Sequence, residues 1–267
     1  MSSFVRVGSG EPMLLLHGFT LSHHVWRSIV NDLSDDYDVV ALTMPGHWGG
    51  RPLRWRELGL RGIADGIEQD LDELGLDTCH IVGNSLGGRL AFELARRGRA
   101  RSLATINAAV GSKRFDYHVF LAGIEFIKQY RLALETRLRG DHTTGDPRLQ
   151  RPVLSNSVRD LSAVAPDDAA NMMRAIAHCP IYLSSMAAFA LDGMVIDLDW
   201  ARVPTSIMIS EFDLYPNHAP HIRHILDNLP EHIREVRLPG VGHIPWLEAP
   251  ALVADALREH LTSAIRA

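Results

Sequence analysis

The sequence predicts an α/β protein, with a mostly parallel sheet flanked by helices and a helical insertion late in the chain. Three observations predict it. Short apolar runs alternate with helix-spaced segments from Met13 to Asn107, no good strand occurs between about Gly111 and Trp200, and the alternation resumes from Pro204 to Ile265. Alternation of this kind requires crossover connections, which are right-handed, and it yields parallel strands covered on both faces. Residues 1–110 and 201–267 are therefore expected to form one core, with 111–200 as the insertion.

The elements follow in order. Met13–His17 (MLLLH) is a short apolar run suited to a buried strand. Ser22 to Leu33 has helical spacing, with Val25, Ile29 and Leu33 on one face and Ser22 as N-cap. Asp38–Thr43 is the next strand, stopped by the turn Pro45-Gly46. Ile63 to Leu74 is a helix closed by Gly75, Thr78–Val82 a strand, Leu86–Arg97 a helix closed by Gly98, and Ser102–Asn107 a further strand. In the insertion, Phe115–Arg139, Asp167–His178 and Ile181–Leu191 have helical patterns, whereas the polar Gly140–Pro152 reads as loop. Pro204–Ser210 and Arg234–Leu238 are strands, Pro220–Leu229 and Pro250–Ile265 helices.

Composition excludes several function classes. The 267 residues are 46% hydrophobic and 22% charged, which suits one soluble domain with an insertion. A net charge of −5 with no basic patch gives no case for nucleic acid or an anionic membrane. The longest apolar candidate for a membrane span, Ile181 to Ile196, is broken by Ser184, Ser185, Asp192 and Gly193. The opening MSSFVRVGSGEP lacks a charged and apolar leader, so a cytoplasmic protein is expected. Cys79 and Cys179 lie far apart, with no CxxC, and read as packed thiols.

The chemistry gathers around HIVGNSLGGRL, residues 80–90. Ser85 satisfies Gly-x-Ser-x-Gly between a strand and a helix. At such a turn small neighbours let strand and helix approach, and the hydroxyl is lifted to the helix N-terminus, where free N–H groups point outward. A serine hydroxyl needs a base. His243 in LPGVGHIPWL follows the last strand, and Asp213 in EFDLYP follows the strand before it, suited to orienting the imidazole. Asp213 is preferred to Glu211, two residues away, and to Asp197 and Asp199, which precede the strand. All three groups fall at C-terminal strand ends, where open α/β sheets bind ligands. His17-Gly18-Phe19 reaches the same edge, so the Phe19 and Leu86 amides are the expected oxyanion donors. A phosphate loop is excluded because no Lys-Ser or Lys-Thr follows the glycines.

MLLLHGF, PGH at Pro45–His47, GNSLGG, the late Asp213 and GVGHIPWLEAP together resemble the α/β-hydrolase superfamily from about Met13 to the C-terminus. The resemblance implies an α/β-hydrolase fold, a helical lid at 111–200, and acyl transfer to water as the default reaction. Ser85, where other branches carry Asp, argues against dehalogenases and epoxide hydrolases. Asn84 is similar to the C–C bond hydrolases of vinylogous diketones, but Ile244 stands where those enzymes usually carry Trp. Their Gly-Pro after the first HG is also absent.

The expected activity is a serine hydrolase for a small or medium carboxylic ester, lactone or thioester, needing no cofactor and no metal. A C–C hydrolase and a non-catalytic binder on the same fold are the alternatives. Asn84, His23, Trp246 and Met186 are the candidate substrate contacts. The insertion's large apolar residues, among them Phe115, Phe126 and Phe189, are expected to pack the lid and in part to wall the pocket. His218, His221 and His224 are spaced around a helix rather than on one face, which favours solvated histidines over metal ligands. The expected partner is a small ester-type molecule, with a homodimer allowed and no nucleic acid or membrane span.

Overall fold

A computed structural model describes residues 2–114, 117–213 and 218–266, with the side chains at 118, 119, 218 and 266 outside the description. Phe115 and the His218 side chain therefore lie outside it. Seven strands, numbered along the chain, form one sheet in the order β1-β3-β2-β4-β5-β6-β7. Parallel pairing joins β2 (Glu11–Leu16), β3 (Tyr37–Leu42), β4 (Cys79–Asn84), β5 (Ala100–Ile106), β6 (Thr205–Ser210) and β7 (Ile233–Leu238). Met13 to Leu16 and Val39 to Leu42 are fully buried, as strands covered on both faces must be. The chain steps from β2 to β3 in one direction and then crosses back to β4 in the other. Right-handed crossovers in opposite directions place α1 (Arg27–Ser34) and α2 (Leu60–Glu73) on opposite faces of the sheet. The reversal opens a crevice at the C-terminal ends of β2 and β4, the switch point where such sheets bind ligands.

β1 (Phe4–Val7) is absent from the sequence reading. It is an antiparallel edge strand on β3. It is only four residues long and interrupted by Arg6, and Val5 and Val7 remain exposed. Arg6 fixes it by pairing with Asp38 on β3 at 2.6 Å. α1 also begins later than its pattern indicates. Residues His23–Trp26 form a 3-10 turn first, and Ser22 sits at its N-cap position without a side-chain bond. α3 (Leu86–Arg96) and α2 end before Gly98 and Gly75, as their sequences require.

Between β5 and β6 there are four helices and no strand among the described residues: α4 (Tyr117–Arg139), α5 (Pro147–Leu154), α6 (Pro166–His178) and α7 (Tyr182–Asp192). α5 corrects the expected loop at Gly140–Pro152. Pro147 occupies the first helical position, where a missing N–H costs nothing, and the Asp146 carboxylate accepts from the Arg148 N–H. Leu149, Val153 and Leu154 are buried against neighbouring helices, which outweighs the one hydrogen bond that Pro152 removes. No single helix is long and apolar enough to cross a membrane among the described residues. After β6 come α8 (His218–Asp227), β7 and α9 (Pro250–Arg266).

The opposite, N-terminal edge of the sheet holds a buried polar chain. His260 on α9 meets Ser206 Oγ at 2.9 Å through Nδ1 and Ser102 Oγ at 3.1 Å through Nε2. Ser102 Oγ also meets His80 Nδ1 at 2.8 Å. Burial pushes His260 down to about 4 and lowers His80 as well, although Glu11 partly opposes the latter. Both rings are therefore neutral in the fold at pH 7. The unfolded chain takes up protons near pH 6.5, so it binds more protons than the native state between about 6.5 and about 4. Stability is full above this window and falls as pH drops through it. The His260→Gln variant should show a shallower loss of Tm between pH 6.5 and 4.5 than the parent, as read by circular dichroism. Equal slopes would contradict this reading.

Candidate active site

β4 ends at Asn84 and α3 begins at Leu86, so Ser85 alone makes the turn, with φ 54° and ψ −115°. Few non-glycine residues adopt such angles, and they persist only where surrounding bonds over-determine them. Three backbone bonds do so here. Ser85 N–H donates to the Ile106 carbonyl, and the Ser85 carbonyl accepts from Arg89 N–H and Ala109 N–H, all at 3.0–3.1 Å. The glycines provide clearance. A Cβ at Gly83 would lie 2.4 Å from the Gly87 carbonyl oxygen, and one at Gly87 would lie 2.3 Å from that of Leu16. Of residues 80–90, only Ser85 is not fully buried.

His243 stands on the loop after β7, its Nδ1 2.6 Å from Asp213 Oδ2. The Asp213 side chain is wholly buried and that of His243 is 5% exposed. A carboxylate accepts, so Nδ1 carries the proton, and the Nε2 lone pair has the basicity to take a proton from a hydroxyl. Glu211 has a different task, since its carboxylate accepts from Gly240 N–H at 2.8 Å and braces the turn that leads to His243. Glu248 accepts from Gly242 N–H, and Ser157 accepts from Ile244 N–H, each at 2.8 Å.

Two buried amides hold the histidine from behind. Asn84 Nδ2 and Asn107 Nδ2 both donate to the His243 carbonyl, at 3.1 and 2.9 Å. Asn107 also donates to Ser210 Oγ and accepts from Ser210 N–H, which ties the ends of β5 and β6 to this loop. The sequence places Asn107 correctly at a strand end. It carries no signal for this grip, which depends on the positive φ of 51° at that residue.

His17 fixes the third side. Met44 N–H donates to its Nε2 at 2.9 Å, so the ring proton is on Nδ1, which donates to the Gly18 carbonyl at 2.7 Å. Burial holds His17 well below the usual histidine range, and it stays neutral. In a trans peptide the C=O and the following N–H point in opposite directions. Anchoring the Gly18 carbonyl therefore turns the Phe19 N–H the other way. Neither this N–H nor that of Leu86 donates to another group among the described residues.

Gly18, Phe19, Asn84, Ser85 and His243 line one cavity of about 30 Å³, closed from the helical block by Phe126, Gln129, Val153 and Ile176. It holds no more than a water-sized group. The candidate nucleophile, the candidate base and Phe19 thus line one space, with Asp213 behind His243 and Leu86 next to Ser85 in the chain but outside the lining. The candidate contacts fare differently. Asn84 lines the cavity, but its amide N–H groups are engaged by Ile106 and His243 carbonyls. His23 is not on the wall. It bonds Thr43 Oγ1 at 2.7 Å and lies against His24, because the 3-10 turn directs it away. Trp246 is fully buried, stacked on Trp26 at 3.9 Å, and its indole N–H donates to the Val25 carbonyl, so it is core rather than contact. Met186 lines an adjoining groove instead.

No group of three His, Cys, Asp or Glu able to hold a metal occurs among the described residues. His221 faces Ser112, and His224 Nε2 meets the Ile196 carbonyl at 2.9 Å. Cys79 and Cys179 are free and buried, and burial pushes each thiol up to about 12.

Residues 13–256 match the Alpha/beta hydrolase family. Over 198 residues the chain is 35% identical to Epoxide hydrolase EphH of Mycobacterium tuberculosis, covering 73% of this chain and 91% of the relative. Among solved structures, a thermophilic esterase from Thermogutta terrifontis superposes with a TM-score of 0.71 at 21% identity, over 98% of this chain and 93% of that one. A meta-cleavage product hydrolase from Pseudomonas fluorescens IP01 superposes with a TM-score of 0.72 at 21% identity, over 98% and 94%. These two likenesses concern the fold.

The two carboxylates predict different outcomes when each is made an amide. Asp213→Asn should slow phosphonylation of Ser85 by a fluorophosphonate by ~10²-fold or more, because the imidazole loses the acceptor that sets its tautomer. Glu211→Gln keeps an acceptor for Gly240 and should change the rate by less than about threefold. Intact-mass time courses read both. A reversed order would assign the acid to Glu211.

Proposed function

The chain belongs to the alpha/beta hydrolase family, and on that premise we propose that it is a serine hydrolase of a small or medium neutral carboxylic ester. One observation carries the reading: Ser85 on its strained turn, His243 backed by Asp213, and Phe19 with its undirected N–H line one cavity. His243 Nε2 takes the Ser85 proton as Oγ attacks the carbonyl carbon. The Phe19 and Leu86 N–H groups receive the developing oxyanion, and Asp213 stabilises the imidazolium. His243 then passes the proton to the departing alkoxide. In the second half a water gives its proton to His243 and attacks the acyl-enzyme, and collapse returns the proton to Ser85 and frees the acid. No cofactor enters any step.

The helical segment 111–200 acts as the lid. Phe126, Gln129, Val153 and Ile176 close the cavity from above, and excluding water there strengthens the oxyanion contacts.

The relative named an epoxide hydrolase raises a second reaction, which Ser85 does not suit. A carboxylate that opens an epoxide forms an ester that water can cleave, whereas a serine would form an ether with no route to release. C–C bond hydrolysis is also less well supported. Ring-fission products carry a carboxylate, and the residues lining the cavity include no Arg or Lys. The Asn84 N–H groups that hinted at it are engaged by backbone carbonyls.

Ser85→Ala should lower kcat on p-nitrophenyl acetate and butyrate by ~10³-fold or more, with the thermal unfolding transition retained. Undiminished turnover would overturn the mechanism.

A further inference from the structure

The cavity at Ser85 is too small for anything beyond the reacting carbonyl, so the rest of a substrate must lie elsewhere. A groove of about 560 Å³ adjoins it between α4 and α7. Phe19 and Phe126 line both spaces, and their rings, 5.5 Å apart and edge-to-face, form the partition. Phe189 and Tyr182 extend this partition, with ring centroids 5.3 and 5.7 Å from Phe19. The groove walls are apolar. Phe120, Gly123 and Ile127 face it from α4, and Met186, Ala187 and Ala190 from α7, with no charged residue in its lining among the described residues. Phe120 is 65% exposed and Ile127 51%, so this surface is wetted in the free protein and gains by being covered.

Resting on the serine-hydrolase reading, we propose that this groove is the binding site for the alkyl chain of the ester's acyl group, which reaches Ser85 past the Phe19–Phe126 partition. Three features select this occupant. Adjacency to the reacting cavity across the Phe19–Phe126 partition, whose residues line both spaces, places the chain next to the carbonyl carbon. The absence of charge in the lining fits a hydrocarbon and disfavours an acid or phosphate. The open end admits chains of more than one length. The preferred substrates are then medium-chain acyl esters rather than acetates. Each methylene that enters the groove should raise kcat/KM by up to about fourfold until the groove is filled.

Gly123 offers a direct test, since a Cβ there would meet nothing within 4 Å and its φ is not in the left-handed region. The kcat/KM of parent, Gly123→Phe and Ala187→Phe would be measured on p-nitrophenyl esters from acetate to decanoate, with Ser85→Ala as blank. In the parent, the octanoate-to-acetate ratio should exceed about tenfold, and either phenylalanine, placed from opposite walls, should cut that ratio by about tenfold. A series that depends on Ser85 but is flat in the parent, or ratios within twofold of the parent in both variants, would overturn the groove assignment alone. No Ser85-dependent hydrolysis at any length would overturn it together with the esterase reading. Dimer dissociation or release from neutral phosphatidylcholine vesicles in both variants, with parental ratios intact, would instead assign the surface to a second copy or to lipid.

Discussion

The backbone of Ser85 is the constraint on which the rest of the site depends. Its positive φ costs on the order of 1–3 kcal/mol, and the fold maintains it with backbone bonds to β5, to α3 and to the segment after β5. That geometry requires Gly83 and Gly87, because a Cβ at either would strike a carbonyl oxygen. It also places the Leu86 N–H at the helix start with no partner among the described residues, and it makes Ser85 the exposed member of a buried stretch. A strand order that reverses between β2 and β4 then brings Gly18 and Phe19 alongside.

His243 is tied to the same turn by buried side-chain amides. Asn84, next to Ser85, and Asn107, at the end of the neighbouring strand, share the His243 carbonyl. The Ser85 turn and the His243 loop are therefore joined by direct hydrogen bonds. His17 plays the matching part on the other side, where its neutral ring joins the Met44 N–H to the Gly18 carbonyl and sets the peptide that presents the Phe19 N–H. These are buried, directional bonds, and they keep donors and acceptors in place before any substrate arrives.

Much of this was legible in the sequence. The six parallel strands are legible as short segments bounded by turns, most of them apolar, and Ser85, Asp213 and His243 fall at strand ends in that order. What escaped was decided by tertiary contacts. β1 has exposed valines and is fixed by Arg6 on Asp38, and α5 contains two prolines and is carried by its buried leucines and valine. Trp246 looked like a contact because it is near His243 in sequence, yet it lies in the core on Trp26. Position after the strand sets Asp213 apart from Asp197 and Asp199 but not from Glu211, which follows the same strand. The structure gives Glu211 a task of its own at Gly240 and places Asp213 on the imidazole. The role of Asn84 was legible only as an oddity, and its bonds are to backbone.

The proposed reaction requires Ser85 to carry the acyl group during turnover. The most direct measurement is acid-quenched peptide mass analysis of the protein mixed with excess p-nitrophenyl butyrate in the first turnovers. The expected result is a mass increase of one butyryl group on the peptide containing Ser85, formed and lost no more slowly than product appears, and absent when His243 is replaced by alanine. Turnover with no adduct on Ser85, or with the acyl group on an aspartate or glutamate, would contradict it.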